Sequence, residues 1–280
     1  MTSEWQVAGG SVRGTRHRRA DRNNQDGFHW STDDRLTLVV TDGCTSGARS
    51  ELGALLGARL VARRAMAAAV WPGLENPESY GRAVRAGLLA DLAPVHAALG
   101  GTPADLLDHL LFTAVLAVAD ARHAAVLGMG DGMAAVNGEL RVVESPGNRP
   151  AYPAYGLLDP SSGPEPRVLW HGLSPEVRTL MVGTDGAADL LCPERSGATG
   201  PGQVRTRPAD GEGGSNRDPY LSRLTSLLED DRVFDNPDQL RRLLTVANRD
   251  TQRVDWENRR LQRETGMLPD DTTLIVARRI

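Results

Sequence analysis

The sequence contains no lysine, and arginine supplies all 32 of its permanently charged basic residues. This absence excludes a lysine nucleophile and Schiff-base chemistry, and it leaves arginine as the permanent cation for contacts with anions. The net charge is only −4, and the arginines are scattered among acidic residues instead of being grouped in one stretch. The charge pattern therefore does not indicate a nucleic-acid-binding surface or a polybasic membrane-binding segment.

Cysteine is also scarce. Cys44 and Cys192 are far apart and form no CxxC pair, which argues against a disulfide framework and against a cysteine-ligated zinc site. Cys44 has no histidine or basic pair beside it in the sequence, so it does not resemble a catalytic nucleophile. Long apolar runs are missing too, and the N-terminus has no basic region followed by an apolar core. We expect a soluble, non-exported protein in the reducing cytoplasm.

The length and composition are those of a protein with a sizeable core, since 40% of the 280 residues are hydrophobic. No internal repeat and no linker divides the chain, so we predict a single domain over residues 1–280. Residues 195–218 are poor in apolar side chains and rich in glycine, proline and charge. We interpret them as a flexible surface insertion, because they offer little surface to bury.

Two long helices are predicted between the first strands and the middle of the chain. Leucines recur at helical spacing from Leu52 onward, behind small residues, which favours a helix over residues 48–70. Residues 76–99 form the second candidate, with Asn76 as the N-cap and Pro77 at the first helical position. We expect the two helices to form an antiparallel pair that covers one face of a sheet.

Short apolar runs broken by glycine and aspartate predict antiparallel strands joined by tight turns. From Leu111 onward these runs are "LFTAVLAVAD", "HAAVLGMGDG", "MAAVNGELRVV" and "VRTLMVGTDG", and the Asn137-Gly138 pair is typical of a hairpin turn. Further strands are predicted in "WQVAGGSV", "RLTLVVTD" and "TTLIVARRI", and a helix in "NPDQLRRLLTVANRD". Residues 13–26 are interpreted as a polar, arginine-rich loop.

Four of the apolar runs begin or end on an aspartate: Asp42 in "VVTDG", Asp131 in "GMGDG", Asp185 in "VGTDG" and Asp270 in "LPDDTT". Asp-Gly is a common turn dipeptide, so four independent turns are one interpretation. If neighbouring strand ends bring the carboxylates together, they repel one another and need a positive partner. The chain lacks lysine and cysteine pairs and has few histidines, so the natural candidate is a hard divalent cation bound by oxygen ligands, Mg²⁺ or Mn²⁺.

The order of these motifs resembles a known family. "NQDG", "VVTDGCTSG", "FTAVLAV", "GMGDG", "LMVGTDG" and "DDTTLIVAR" follow one another as the motifs of the metal-dependent serine/threonine protein phosphatases, the PP2C or PPM family, do. "GGSVRGTRH" before "NNQDG" is similar to a bacterial branch that often carries a histidine before the Gln-Asp pair. The resemblance implies an α/β (α+β) fold, a four-layer αββα sandwich of two antiparallel sheets flanked by helices.

The resemblance also implies roles for individual residues. Asp42 would be the carboxylate that bridges two metal ions, with the carbonyl of Gly43 as a further ligand. Asp185 and Asp270 would bind one of these ions, and Asp26 would hold metal-bound waters. We therefore expect two Mn²⁺ or Mg²⁺ ions at this site.

Three more positions match the family with less specific consequences. Asp131 corresponds to an aspartate at a third, weaker metal position. Asp271 falls where the family often has asparagine, and we treat it as a neighbour of the ligand. Thr113 matches a small hydroxyl residue of the central strand, and the alternative interpretation is a packed strand residue.

The contact to the substrate phosphate departs from the better-known branch, in which an arginine lies five residues before the metal-site aspartate. Asp21 occupies that position here. His17 and Arg22 are the candidates for the role, with Arg16 and Arg19 in the same loop. The bacterial branch favours His17 and proximity favours Arg22, while a solvated loop residue is the alternative interpretation of each.

The function implied is hydrolysis of phosphoserine or phosphothreonine in a protein, through a metal-activated water and without a covalent intermediate. The partner would be a phosphorylated protein, the target of a Ser/Thr kinase, with no nucleic acid and no membrane involved. One alternative is a phosphatase of the same chemistry for small metabolites. Another is a catalytically weak regulator that binds phosphoproteins, against which the number of retained carboxylates argues. Residues 195–218 are interpreted as an enlarged flap beside the active site.

Overall fold

The computed structural model describes residues 4–69, 73–145, 147, 149–191, 204–207 and 227–280. The described helices are α1 (Thr15–Arg19), α2 (Glu51–Ala68), α3 (Pro77–Leu99), α4 (Pro103–His109), α5 (Asp185–Leu191), α6 (Asp231–Asp235) and α7 (Gln239–Ala247), with 3₁₀ turns at Pro153–Leu157 and Ser174–Glu176. The described strands are β1 (Trp5–Val12), β2 (Asp26–Ser31), β3 (Leu36–Gly43), β4 (Phe112–Ala119), β5 (His123–Met129), β6 (Gly132–Val136), β7 (Glu139–Val143), β8 (Arg167–Leu173), β9 (Thr179–Gly183), β10 (Val204–Arg207), β11 (Thr251–Asp255), β12 (Arg260–Glu264) and β13 (Thr272–Arg279).

The strands form two large sheets and one small ribbon. The six-stranded sheet has the order β1-β13-β9-β6-β7-β10, and the five-stranded sheet has the order β2-β3-β4-β5-β8. β11 and β12 pair with each other as a separate two-stranded ribbon. Neighbouring strands are antiparallel, as the short apolar runs predict, and the Asn137-Gly138 turn has positive φ at both residues, which matches the hairpin twist.

The two sheets face each other across a shared apolar core. In β3, Leu38 and Val40 point into this core, while Val39 between them points to the opposite face. In β13, Ile275 points into the shared core and Leu274 points away from it. Successive side chains of a strand alternate between its two faces, so strands that are apolar at every position are covered on both sides.

The helix pair α2 and α3 covers the outer face of the five-stranded sheet, as predicted. Alanine and leucine side chains of both helices pack on β3 and β4 in one buried cluster. Asn76 caps α3, since its Oδ1 accepts a hydrogen bond from the backbone N of Ser79 at 2.9 Å. The Tyr80 hydroxyl donates to the carbonyl of Ala65 at 2.8 Å, which joins the two helices inside the cluster.

The outer face of the six-stranded sheet is covered by α5, α6 and α7. Ala187 of α5, Val233 of α6 and Leu240 of α7 pack with Met181 and Leu274 of the sheet in a third buried cluster. The layers therefore follow the order helix, sheet, sheet, helix. This arrangement confirms the αββα sandwich that the sequence resemblance implies.

One part of the predicted loop over residues 13–26 is helical. The N-terminus of α1 is held by a distant segment, since the N–H groups of Thr15 and Arg16 donate to the carbonyls of Leu268 and Pro269 at 2.9 and 3.0 Å. These contacts satisfy donors that a helix leaves unpaired at its N-terminus. They lie far away in the sequence, so local pattern alone does not reveal α1.

The β11–β12 ribbon is a second element that the sequence patterns do not predict. It lies between α7 and β13, and Trp256 at its turn is 82% exposed.

Most of the predicted insertion 195–218 lies outside the described residues. Its described part, Val204–Arg207, is β10, which pairs with β7. Among the residues that the structure describes, no helix is long and apolar enough to cross a membrane. A single domain over residues 1–280 stays a prediction.

Candidate metal centre

Strand register brings Asp26 and Asp42 together. Asp26 begins β2 and lies directly opposite Asp42 in β3, and Asp42 lies opposite Thr113 in β4. The N–H of Gly43 donates to the carbonyl of Gln25 at 3.0 Å, which continues the pairing at this end of the strands. Like charges directly opposite each other destabilise a sheet. The register therefore creates a demand for positive charge at this point.

Three further aspartates approach from elements of the six-stranded sheet. Asp185 begins α5 just after β9, Asp131 lies between β5 and β6, and Asp270 lies just before β13. β9 pairs with both β6 and β13, so the ends of these strands are neighbours. The structure thus brings Asp26, Asp131, Asp185 and Asp270 within electrostatic reach of Asp42, against the interpretation of independent turns.

Burial and neighbouring negative charges both act on the carboxyl group of Asp42. Burial raises the pKa of Asp42 well above its ordinary value, and the negative charges of Asp185, Asp26, Asp131 and Asp270 raise it further. Each of these effects disfavours the ionised form of the carboxyl group. A cation at this place would reverse the effect, because it would stabilise all five carboxylates in the ionised form.

Asp26 is 4% exposed, and its carboxylate also needs a positive partner to stay ionised. Burial raises its pKa well above the ordinary value, the charges of Asp271 and Asp185 add to this, and hydrogen bonds from Thr273 and Thr184 partly offset it. The Thr184 hydroxyl donates to Asp26 Oδ2 at 3.1 Å. Asp26 Oδ1 is buried and has no hydrogen-bond partner within the described residues. A buried acceptor without a partner lowers stability unless a cation or a water interacts with it.

The residues present fit a hard divalent cation by their chemistry. The donors are carboxylate oxygens and the carbonyl of Gly43, the ligands that Mg²⁺ and Mn²⁺ prefer. As the side chains stand, however, no three histidine, cysteine, aspartate or glutamate side chains in the described parts of the chain form a ready-made metal cage. The carboxylates are near enough to repel one another without surrounding one common point.

A backbone kink directs Asp131 toward the site. Gly130 has a φ of +98°, and a Cβ atom at this position would lie 2.5 Å from Cγ2 of Thr113. Glycine is therefore required here for two reasons, the left-handed backbone and the close approach of β4. Thr113 is 2% exposed. It supports the turn before Asp131, consistent with its interpretation as a packed strand residue.

His17, a candidate for the phosphate contact, lies inside the protein. It is 4% exposed, and its Nδ1 lies 2.7 Å from Oδ2 of Asp271. Nε2 of His17 is buried without a hydrogen-bond partner among the described residues. The structure thus places His17 against the residue that follows the predicted ligand Asp270. Its contact with phosphate stays a prediction.

Arg22, the second candidate, contacts the loop that follows Asp42. Its two terminal nitrogens donate to the carbonyls of Thr45 and Gly47, and a phosphate contact by Arg22 also stays a prediction. Arg16, from the same group of loop residues, has a side chain that is 72% exposed and lies 4.0 Å from Oδ2 of Asp270. The structure therefore places Arg16 of α1, a permanent cation, at the edge of the carboxylate cluster.

Two contributors to the site were missed by sequence reasoning. Thr184 was treated as part of a strand end, although its hydroxyl holds Asp26. Tyr152 is buried within electrostatic reach of the cluster. Burial raises its pKa most, followed by the hydrogen bond and charge interaction with Cys44 and then by the charges of Asp42 and Asp131. A hydroxyl residue directly before the Asp-Gly of "VGTDG" was an available signal for Thr184, whereas no local pattern points to Tyr152.

The chain is similar to known proteins over most of its length. The family model described as protein phosphatase 2C matches residues 13–244. The chain belongs to this family. The match contains four of the five aspartates, and Asp270 lies beyond its end. Membership supports a metal-dependent phosphatase, and no curated protein sequence matches the chain.

Solved structures share the fold at low sequence identity. The serine/threonine phosphatase Stp1 from Staphylococcus aureus is 13% identical with a TM-score of 0.54, over 97% of this chain and 94% of that chain. PppA, a regulatory component of the type VI secretion system (T6SS) in Pseudomonas aeruginosa, is 18% identical with a TM-score of 0.51, over 99% and 98%. The catalytic domain of the serine/threonine protein phosphatase PstP, solved with two manganese ions, is 15% identical with a TM-score of 0.51, over 98% and 97%. These likenesses confirm the two-sheet phosphatase fold.

Proposed function

We propose that this protein is a Mn²⁺- or Mg²⁺-dependent phosphatase that removes phosphate from phosphoserine or phosphothreonine of a protein. The observation that carries the proposal is the gathering of four further aspartate carboxylates around Asp42 in a member of the protein phosphatase 2C family. A cluster of this kind costs stability when its charges are not balanced. Its presence at the ends of buried strands therefore supports a role that needs bound cations.

The residues that would hold two ions are Asp42, the carbonyl of Gly43, Asp185 and Asp270, with Asp26 acting through waters. Asp131 would contribute to a third, weaker position. When bound, the ions supply a water nucleophile at neutral pH and stabilise the charge of the phosphoryl oxygens. This proposal is supported by the oxygen-only donor set and by the repulsion that each carboxylate exerts on Asp42.

Asp26 has a distinct part in the proposal. Thr184 holds its Oδ2 at 3.1 Å, which limits rotation of the carboxylate. The free Oδ1 is then a fixed, buried acceptor for a hydrogen bond from a water at the site. Asp26 would in this way orient a water toward the substrate phosphorus, a contribution of positioning that is separate from the charge of the ions.

The phosphate contact is assigned to the arginine-rich segment around α1. His17 and Arg22 remain the sequence-based candidates, and the exposed guanidinium of Arg16 beside Asp270 supports Arg16 as well. Arginine binds phosphate through paired N–H groups and keeps its charge at neutral pH. The guanidinium of Arg22 already donates to two loop carbonyls, so fewer of its donors are free for a substrate.

The substrate class is proposed from the family and from its solved relatives. Stp1 and PstP are described as serine/threonine phosphatases, which supports a phosphorylated protein as the partner, in opposition to a Ser/Thr kinase. A cytoplasmic location is part of this proposal. The rival functions, a small-metabolite phosphatase and a phosphoprotein-binding regulator with weak activity, are separated from it by the experiment below.

The test is hydrolysis of an aryl phosphate and of a phosphothreonine peptide by the full chain, with Mn²⁺, with Mg²⁺ and with chelator. We expect metal-dependent turnover of both, abolished by chelator and by Asp42→Asn. Hydrolysis of the aryl phosphate with no turnover of any phosphopeptide would favour the metabolite phosphatase. Binding of the phosphopeptide without turnover in any metal would contradict the enzyme and favour the regulator.

A further inference from the structure

Asp271 is a buried carboxylate that receives three hydrogen bonds from two segments of the N-terminal region. Its Oδ1 accepts from the N–H of Gly14 at 2.7 Å. Its Oδ2 accepts from the N–H of Gln25 at 2.6 Å and lies 2.7 Å from Nδ1 of His17. With the Nδ1–H of His17 assigned as the donor, all three contacts are hydrogen bonds accepted by the carboxylate oxygens. The Asp271 side chain is 2% exposed, so these hydrogen bonds satisfy both of its oxygens inside the protein.

The backbone around Asp271 is also a place of unusually close approach. A Cβ atom at Gly14 would lie 2.6 Å from both the carbonyl oxygen of Asp270 and the N of Asp271. A Cβ atom at Gly186 would collide with the carbonyl oxygen of Asp271 and lie 2.7 Å from Oγ1 of Thr272. Gly14 therefore allows the segment before α1 to rest on the Asp270–Asp271 peptide, and Gly186 allows the start of α5 to rest on the Asp271–Thr272 peptide.

The three bonds connect Asp271 to parts of the chain that carry proposed site residues. Gln25 directly precedes Asp26, so the 2.6 Å bond fixes the start of β2. His17 follows Arg16 in α1, so its bond fixes the helix that presents the Arg16 guanidinium. The N–H of Asp271 donates to Oδ1 of Asp270 at 2.9 Å, which orients that carboxylate too.

We propose that Asp271 is a positioning residue that sets Asp26 and α1 in the correct place relative to Asp270 for metal and phosphate binding. The proposal rests on the proposed function, because it assigns Asp271 a purpose at that site. Asp271 touches neither metal nor substrate in this account. It acts through the backbone of Gln25 and through His17, whose buried side chain then has a role in anchoring α1.

The pairing explains why a carboxylate is suited to this position. Three donors share two oxygens, and both oxygens must accept. An asparagine offers one accepting oxygen, so it leaves at least one of these donors without its partner. Replacing a residue that hydrogen-bonds to a metal ligand or orients it typically lowers metal affinity or activity by about 10-fold to 100-fold.

The experiment compares Asp271→Asn, Asp271→Ala, His17→Ala and the double variant His17→Ala/Asp271→Ala in the full chain. Amide hydrogen exchange at Gly14 and Gln25 is measured with chelator, and Mn²⁺ affinity is measured by calorimetry. We expect slow exchange at both amides in the wild type, faster exchange in Asp271→Asn and the fastest exchange in Asp271→Ala. We also expect Asp271→Ala to lose about 10-fold to 100-fold in Mn²⁺ affinity. His17→Ala should add little in the Asp271→Ala background, because the two residues act through one contact.

Asp250→Asn is the matched control. Asp250 also anchors α1, since its Oδ1 accepts from Arg18 at 2.8 Å and from the N–H of Gly266 at 3.0 Å, whereas the N–H of Gln25 donates to Asp271. We expect this variant to lower thermal stability and to leave the Gln25 amide and the Mn²⁺ affinity unchanged. Equal Mn²⁺ losses in Asp250→Asn and Asp271→Asn would show a general effect of loosening α1 and would overturn the proposal.

The two proposals fail in different ways. If the wild type hydrolyses no phosphate ester in any metal, the proposed function is wrong, while the exchange of Gly14 and Gln25 still reports on the contacts of Asp271. If the wild type is an active phosphatase and Asp271→Ala matches it in amide exchange, Mn²⁺ affinity and kcat/KM, the positioning role alone is wrong. Additive losses in the double variant would separate His17 from Asp271 and would also contradict the proposal.

Discussion

Asp26 and Asp42 lie directly opposite each other on adjacent antiparallel strands, in a position where one buried carboxylate is already costly. Burial raises the pKa of both groups well above the ordinary value. Strand pairing cannot separate them without shifting the whole register of β2 and β3, which would turn buried side chains toward the wrong face. The fold therefore holds a pair of like charges in place, and the proposed cations are what would balance it.

The first prediction concerns activity after loss of the central carboxylate. Asp42→Asn should reduce metal-dependent turnover of an aryl phosphate by more than about 100-fold, the upper range for residues that only support ligands. The amide has nearly the same shape, so the sheet register and the circular dichroism spectrum should be unchanged. Asp34→Asn, at an exposed position between β2 and β3, removes the same charge and should retain full activity. Turnover of Asp42→Asn near the wild-type level would refute the assignment of Asp42.

The second prediction concerns stability and pH in the presence of chelator. The folded-state pKa of Asp26 and Asp42 is raised, so between the unfolded-state value and the raised value the native state binds more protons than the unfolded state. The contribution of these two groups to stability must then fall as pH rises through that window. Thermal melts from acidic to neutral pH should show Asp42→Asn gaining stability relative to the wild type as pH rises.

Saturating Mn²⁺ should reverse this difference at neutral pH. Ligands that bind the native state alone raise the melting temperature, and the wild type retains the full set of carboxylates while Asp42→Asn does not. The wild type should therefore gain more from Mn²⁺ than the variant. If Asp42→Asn is the less stable protein at neutral pH under chelator, the repulsion inferred for this cluster is absent.

The positions of the site carboxylates could be predicted because they are encoded locally. Each strand-end aspartate adjoins a short apolar run, so its place at the end of a strand can be predicted locally. The two-sheet fold was implied by the family resemblance, and the structure agrees with it, since strands such as β4 are buried at every position. The resemblance of ordered motifs then gives the layer order, which no single run contains.

The remaining features depend on contacts between distant residues. Asp271 bonds to Gly14, His17 and Gln25, which lie 257, 254 and 246 positions away. It was therefore interpreted as a simple neighbour of Asp270. The β11–β12 ribbon has one apolar cross-strand pair, Val254 opposite Leu261. Its other positions are polar, so the apolar alternation that predicts strands is too weak there.

The third prediction separates the arginines near the site. Arg16→Ala should lower kcat/KM for an aryl phosphate by about 10-fold to 100-fold, the range expected for one charge-assisted hydrogen bond. Its exposed side chain lies beside Asp270 without a buried packing role, so the melting temperature should hardly change. Arg22→Ala removes two bonds to the loop after Asp42 and should lower both the melting temperature and kcat/KM.

Exposed Arg19 provides the control for this series, since Arg19→Ala removes the same charge from the end of α1. Steady-state kinetics and melts of the three variants, at saturating Mn²⁺, give the answer. An Arg16→Ala enzyme that is kinetically identical to Arg19→Ala would show that the Arg16 guanidinium does not meet the substrate. If Arg22→Ala lowers kcat/KM while its melting temperature is unchanged, the phosphate contact would instead be assigned to Arg22.

The last prediction uses two glycines that share a backbone conformation but differ in surroundings. Gly130 and Gly147 both have positive φ, at +98° and +59°. An alanine at either position pays about 1–2 kcal/mol for the left-handed backbone. At Gly130 the new methyl group would also lie 2.5 Å from Cγ2 of Thr113, whereas at Gly147 no atom lies within 4 Å among the residues that the structure describes. The overlap adds about 1–3 kcal/mol, the usual cost of overpacking.

Gly130→Ala should therefore lower the free energy of unfolding clearly more than Gly147→Ala in urea titrations. It should also weaken metal binding, because Gly130 directs the adjacent Asp131 toward Asp42. The double variant Gly130→Ala/Thr113→Ser removes the Cγ2 atom of the overlap, since serine lacks this methyl group, and should regain part of the lost stability. Equal destabilisation by the two single glycine variants would mean that β4 moves aside without cost and that Thr113 does not support the turn before Asp131.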